Sequence, residues 1–131
     1  MLFRSWTPRL RHLLAEGDGR PFPPFDREAH MRQAPQPIDE SLLTFASLRA
    51  DSLAWLRDAF GGADDARLDL VGRHPDFGAV RAKELIAAWV AHDLSHIAQI
   101  VRTMAERYRT DIGPWIAYLG IYRPRAGDSI E

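Results

Sequence analysis

The stretch WVAHDLSHIAQI, residues 89–100, places His92 and His96 four positions apart inside an apolar run. In an α-helix this spacing brings two side chains to nearly the same angle, one turn apart. The histidines continue a single line of residues at steps of three and four: Leu85, Trp89, His92, His96, Gln99 and Thr103. We therefore predict a long helix over residues 80–109 whose histidine face points into the protein.

A second apolar face runs beside the histidine face of the same predicted helix. Its members again recur at helical spacing: Ile86, Val90, Ile97, Val101, Met104 and Tyr108. A helix with apolar side chains on two sides is typical of the centre of a helical bundle. The pattern thus predicts that this helix is surrounded by the other elements of the chain.

The remaining sequence predicts further helices and no strands. Apolar periodicity predicts helices over residues 2–16, 39–60 and, shorter, 114–120. Between them lie a proline-rich loop over residues 17–37, a polar link over 63–79 with a turn at Pro75 and Gly78, and a loose tail over 123–131. Phe22 and Phe25 are expected to anchor the long loop by burying their rings. At 131 residues the chain predicts a single all-α bundle domain, residues 1–131.

The composition excludes several classes of protein. A formal net charge of −1 gives no general electrostatic attraction to nucleic acid, and no recognition-helix pattern is present. The absence of cysteine excludes disulfides, thiolate nucleophiles and cysteine zinc sites. No segment reaches the roughly 18 apolar residues of a membrane helix, and the first residues do not form a secretory signal. We expect a cytoplasmic protein that acts on neither membranes nor nucleic acid.

The two histidines admit two interpretations. In the first, His92 and His96 bind one divalent ion, and a third ligand from another helix with water or substrate completes the coordination. In the second, one histidine is buried with a hydrogen-bond partner and the other lies near the rim of the bundle. The spacing arises easily by chance, whereas the inward face favours a metal, because burying two imidazoles without partners is costly.

The motifs HPDFG (74–78), ELIAAWVAHDLSHIAQI (84–100) and GPWIAYL (113–119) resemble the DinB-like, or YfiT-like, proteins. The segment WTPRLRHLLAEGDGRPFPPFD (6–26) is similar to the second helix and following loop of that family. The resemblance implies an up-down four-helix bundle, commonly dimeric. It also implies a divalent metal held by three histidines, two of which match His92 and His96.

The resemblance breaks down at the N-terminal side. The third histidine of the family lies about three turns before the segment that resembles TPRLRHLL, so its position falls before Met1. The first helix of the family is missing too, and the first apolar stripe begins at residue 2 without a capping residue. We expect either an N-terminally shortened bundle or a natural start upstream of Met1. The other histidines are unconvincing substitutes for the third metal ligand. We expect His12 on the surface, His30 in the long loop, and His74 in the turn, which it fixes by hydrogen bonding.

Two expectations follow, the first implied by the resemblance and the second by the missing helix, and one alternative to the first stays open. The first is a divalent-metal-dependent enzyme, with Zn²⁺, Ni²⁺ or a similar ion, that transfers a low-molecular-weight thiol or isomerises a thiol adduct of a small substrate. Asp93 would form an ion pair with an arginine of a neighbouring helix, and Gln99 would support the metal ligands. The second is a homodimer that covers apolar surface left by the missing helix. The alternative is a non-catalytic bundle that binds a small apolar ligand or self-associates.

Overall fold

The computed structural model describes residues 6–24, 26, 32, 34 and 36–123. It contains three α-helices, α1 (Trp6–Glu16), α2 (Ile38–Ala59) and α3 (Ala82–Glu106), and an antiparallel hairpin of β1 (Val71–His74) and β2 (Gly78–Arg81). Short 3₁₀ helices cover Ala66–Asp69, Gly113–Ala117 and Gly120–Tyr122. The chain forms two compact units, Met1–Trp89 and Val90–Glu131, so α3 runs from the first into the second.

The predicted long helices are present, and their ends are set by local backbone geometry. Helix α1 ends before Gly17, whose φ of 58° is a conformation that side chains with a Cβ rarely adopt. The N–H of Gly17 donates to the carbonyl of Leu13 over 3.0 Å. Helix α2 ends at Phe60, whose N–H donates to the carbonyl of Leu56. The helix prediction was therefore correct to within a few residues at the ends of α2 and α3.

The prediction that the chain contains no strand was wrong. Residues 71–81 form the β1–β2 hairpin, in which Gly72 pairs with Val80 and His74 pairs with Gly78. The predicted turn at Pro75 and Gly78 closes it, with Gly78 at a φ of 74°. The ring nitrogen Nδ1 of His74 accepts from the backbone N–H groups of Asp76 and Phe77, at 3.1 and 3.3 Å. The expectation that His74 fixes this turn is thus confirmed.

The core of the first unit joins α1, the hairpin and the adjoining ends of α2 and α3. Its buried members are Leu10, Leu13, Phe22, Phe60, Ala82 and Leu85. Phe22 is 2% exposed, so the prediction that its ring anchors the long loop is confirmed, while Phe25 lies outside the described residues. The N–H of Phe22 donates to the carbonyl of Arg73 over 2.9 Å, and Pro21 forms an isolated parallel β-bridge with Arg73. This loop segment therefore extends the hairpin along the β1 edge.

The second unit contains the end of α3 and the two 3₁₀ helices that follow it. The guanidinium of Arg102 donates to the carbonyl of Ile121 over 3.0 Å, and the hydroxyl of Tyr122 donates to that of Ala105 over 2.6 Å. The short C-terminal helix predicted over 114–120 is a 3₁₀ helix, Gly113–Ala117. The predicted loose tail, residues 123–131, lies outside the described residues apart from Arg123, whose N–H donates to the carbonyl of Gly120.

The second apolar face of α3 is exposed, contrary to the prediction of a central helix. Its exposed fractions are 56% at Val90, 55% at Ile97, 47% at Val101, 65% at Met104 and 60% at Tyr108. This face therefore remains available to a partner. Among the described helices, none is long and apolar enough to span a membrane.

The link between α2 and β1 is held by the carboxylate of Asp65, which caps the 3₁₀ helix Ala66–Asp69. It accepts from the N–H groups of Gly61 and Arg67, at 2.8 and 2.9 Å, and from the guanidinium of Arg67. The hydrogen bonds from Arg67, followed by that from Gly61, hold the pKa of Asp65 well below its usual range.

We expect Asp65→Asn to destabilise the protein at neutral pH and to have little effect in acid. Because the pKa is lowered by folding, the stabilisation is fully present above the unfolded-state pKa of about 3.9 and is lost as the pH falls below it. Urea unfolding of both proteins between neutral and acidic pH measures the difference. Asp64→Asn, a neighbouring exposed carboxylate, is the control. A difference that stayed constant across this range would contradict the assignment.

Candidate metal centre

His92 and His96 lie on the part of α3 that belongs to the second unit. Their ring centroids are 4.4 Å apart, with the ring planes at 80°. This contact follows from the four-residue spacing, which places both side chains on one helical face. The structure therefore brings together the two imidazoles that the sequence singled out.

Gln99 lies one turn after His96 and orients its ring. The Nδ1 atom of His96 is 2.9 Å from the amide oxygen Oε1 of Gln99. Since an amide oxygen can only accept, this contact requires Nδ1 of His96 to carry the proton. The lone pair then lies on Nε2, which is the form in which an imidazole binds a metal through that atom. The contact predicted for Gln99 is thus present, while its role in metal binding stays a prediction.

The side chain of His92 is partly buried. Its side chain is 23% exposed, and its Nδ1 atom is buried at 4.0 Å from Oδ1 of Asp93. Burial lowers the pKa of His92 below its ordinary value, and the charge of His96 lowers it further, while Asp93 acts in the opposite direction. The neutral form of His92 is therefore favoured. Asp93 thus lies beside His92, and the ion pair predicted between Asp93 and an arginine of a neighbouring helix stays a prediction.

The other histidines occupy different parts of the chain. His12 contacts the carbonyl of Arg20 through Nε2 at 3.1 Å and packs edge-on against Phe22, so it is less exposed than expected. His74 holds the hairpin turn, and His30 lies outside the described residues. Within the ranges that the structure describes, no three metal-ligating side chains come together. His92 and His96 thus remain the two candidate ligands of a metal ion among the described residues.

The family model for the DinB superfamily matches residues 2–100 of the chain. This match covers most of the sequence, including the hairpin and both histidines of the pair. The chain belongs to the DinB superfamily. A mostly helical structure with a small two-stranded sheet is consistent with the DinB-like helical fold. The up-down arrangement and the N-terminal shortening stay predictions. Comparison with curated proteins gives no match.

Substitution of Gln99 tests whether it supports a metal ligand. We expect Gln99→Leu to weaken divalent-metal binding about 10- to 100-fold while both histidines remain, because the ring of His96 loses the acceptor that fixes its tautomer. Competition with a chromogenic chelator measures the affinity. Gln99→Glu keeps an acceptor at this position and should retain binding. Equal losses in the two variants would show that the acceptor is not the reason for the effect.

Proposed function

We propose that this DinB superfamily protein binds a divalent ion, Zn²⁺, Ni²⁺ or similar, through His92 and His96. The observation that carries the proposal is the geometry of the pair: two rings 4.4 Å apart on one helical face, with the tautomer of His96 set by Gln99. Neutral imidazole nitrogen is a common ligand of both ions. The residues therefore fit two positions of a coordination shell.

The proposed activity is metal-dependent transfer of a low-molecular-weight thiol, or isomerisation of a thiol adduct. A bound divalent ion would supply a positive charge that lowers the pKa of a substrate thiol. The two histidines would bind the ion through their ring nitrogens, which for His96 is Nε2, because Nδ1 contacts Gln99. Gln99 would hold the ring of His96, and Asp93 would provide negative charge beside His92. Reduced thiols persist in the cytoplasm, so the proposal places the activity there.

The experiment that tests metal binding is elemental analysis of untagged protein, purified without chelator, by mass spectrometry. We expect one divalent ion per chain, or saturation at one after titration with Zn²⁺ or Ni²⁺. An ion-free protein that binds neither metal would contradict the proposal. Thiol transfer is then assayed with a low-molecular-weight thiol and an electrophile, before and after chelation. Activity that is unchanged by complete removal of the metal would contradict the metal-dependent mechanism.

A second candidate is a non-catalytic bundle that self-associates. Two observations favour it: the described chain offers no third metal ligand, and α3 exposes an apolar stripe. This stripe recurs at steps of four and three residues: Val90, Leu94, Ile97, Val101, Met104 and Tyr108. Such spacing is the pattern by which two helices pack together. We therefore propose a homodimer whose two copies pack through this stripe, a state that is compatible with either function.

The dimer predicts a mass and a response to substitution. We expect sedimentation equilibrium to give twice the chain mass for the wild type and the chain mass for Ile97→Glu, because a charge would be buried in the interface. Ala91→Glu introduces the same charge at an exposed position off the stripe and should remain dimeric. A monomeric wild type at micromolar concentration would contradict the dimer, as would a dimer that persists in Ile97→Glu.

A further inference from the structure

The turn between β1 and β2 is closed by the imidazole of His74. Its Nδ1 atom accepts from the backbone N–H groups of Asp76 and Phe77, over 3.1 and 3.3 Å. An imidazole nitrogen can accept only while it carries a lone pair, so the single proton of the neutral ring must lie on Nε2. The turn in this structure therefore requires the neutral form of His74.

The ring of His74 also links the turn to its surroundings. It stacks on Phe77, with the centroids 4.4 Å apart, and makes an edge contact with the buried ring of Phe22. Phe77 is 77% exposed, so this stack is the main packing contact of its ring. Directly opposite His74 in the hairpin, Gly78 adopts a φ of 74° and reverses the chain. The position of one imidazole thus determines both the turn and the place of Phe77.

A second proton on the ring removes the acceptor that closes the turn. In the imidazolium both nitrogens are donors, so Nδ1–H would face the N–H groups of Asp76 and Phe77 without accepting from either. Histidine is the side chain that ordinarily gains its charge between about pH 8 and pH 5. Because only the neutral ring closes the turn, the stabilisation is present at the upper end of this range and is lost as the pH falls.

The charged groups around His74 come from the loop after α1, from β1 and from the turn itself. Asp18 lines the same cleft as His74, and Asp76 belongs to the turn. Arg73 precedes His74 in β1, where successive side chains point to opposite faces. In the part of the chain that the structure describes, neither aspartate forms an ion pair with His74. The closed turn therefore offers the imidazolium no salt bridge in exchange for the lost hydrogen bonds.

The base of the hairpin is held independently of His74. The N–H of Ala82 donates to the carbonyl of Leu70 over 3.0 Å, and the N–H of Arg81 donates to the carboxylate of Glu84 over 2.7 Å. Ala82 is fully buried in the core of the first unit. Loss of the contacts to His74 should therefore open the turn and leave the base of the hairpin closed.

We propose that this turn is a pH-sensitive switch, which is closed while His74 is neutral and opens when its ring takes up a proton. Opening releases residues 75–77 and frees the ring of Phe77 from its stack on His74. The switch lies in the first unit and does not depend on the proposed metal binding, because His92 and His96 take no part in it.

The test follows the hairpin by NMR as the pH is lowered from about 8 to about 5. The Cε1 proton of His74 reports the charge of the ring, while backbone NOEs between His74 and Gly78 and the amide temperature coefficients of Asp76 and Phe77 report the turn. We expect the ratio of closed to open turn to fall at least about fivefold, with the same midpoint as the ring, because two hydrogen bonds are lost. The amide of Ala82 should not change. A turn that stays closed after His74 is charged would overturn the proposal, as would opening with a different midpoint.

Two substitutions at His74 hold the turn in its two states. In His74→Asn the amide oxygen can accept from the N–H of Asp76, two residues on, and takes up no proton in this range. This variant should stay closed at every pH. His74→Ala removes the acceptor and should be open at every pH. A pH response in His74→Asn equal to that of the wild type, or a closed turn in His74→Ala, would overturn the proposal.

His12 provides the matched control, because it contacts the same Phe22 ring and is the same type of titrating group. His12→Gln should retain the full pH response of the turn, with its midpoint still equal to that of the His74 ring. Loss of the response in this variant would assign the titration to His12 and overturn the role of His74.

Discussion

Replacing His92 or His96 with alanine is expected to release the divalent ion from this protein. In the proposed site each imidazole supplies one of two protein ligands from α3, so a single substitution leaves one ligand. Loss of an orienting partner alone costs about 10- to 100-fold in metal affinity. Loss of a ligand itself should therefore lower the affinity by at least about 100-fold. Elemental analysis after dialysis, together with chelator competition, measures both occupancy and affinity.

Three controls make this result specific to the histidine pair. His12→Ala removes an imidazole from the first unit and should leave occupancy unchanged, because His12 contacts Arg20 and Phe22. Circular dichroism of each variant establishes that α3 is retained. A double variant with both histidines replaced should bind the ion no more tightly than a protein that lacks the site. Full occupancy in either single variant would show that the pair is not the metal centre and would favour the non-catalytic alternative.

The helical part of this structure could be predicted from sequence because it rests on local periodicity. Helix α3 carries two regular faces over 25 residues, and such a pattern has one local interpretation. The contact between the rings of His92 and His96 follows from the same geometry, as does the reach of Gln99 to His96. These features depend on residues within one or two turns of each other. A bound metal cannot be predicted from this local geometry, because two histidines on one helical face are compatible both with a metal site and with a purely structural pair.

The hairpin could not be predicted in the same way, because its stability depends on distant residues. Each strand has four residues, and the sequence of β1 has no apolar–polar alternation, because the apolar Val71 is exposed and the buried position is Gly72. Gly72, which disfavours a strand locally, fits there because Leu13 and Phe22 occupy the space beside it. His74 and Gly78 indicated a turn but not the pairing on either side of it. A cleft beside the hairpin was missed for the same reason, since its walls come from residues 18–21 and 72–79, which come together only in the folded chain.

The close packing at Gly72 leads to the second large prediction: Gly72→Ala is expected to destabilise the protein by about 1–3 kcal/mol. A Cβ at this position would lie 2.9 Å from Cγ of Leu13, 3.0 Å from its Cδ1 and 3.1 Å from Cε1 of Phe22. Leu13 and Phe22 are almost completely buried, so neither can move aside without disturbing the core. Urea unfolding at neutral pH measures the change in free energy.

A double-mutant cycle tests whether the clash with Leu13 is the cause. Leu13→Ala alone should cost about 2–5 kcal/mol, because it leaves a cavity in the core. In that background the methyl group of Gly72→Ala enters the vacated space, so the second substitution should cost much less than in the wild type. The two effects are then less than additive, as expected for residues in direct contact. Strict additivity would show that backbone strain or loss of chain flexibility, and not overpacking, explains the cost at Gly72.

Gly120→Ala is the matched control, since a Cβ at Gly120 meets no atom within 4 Å and its φ is not in the left-handed region. It should change the stability by no more than about 0.5 kcal/mol.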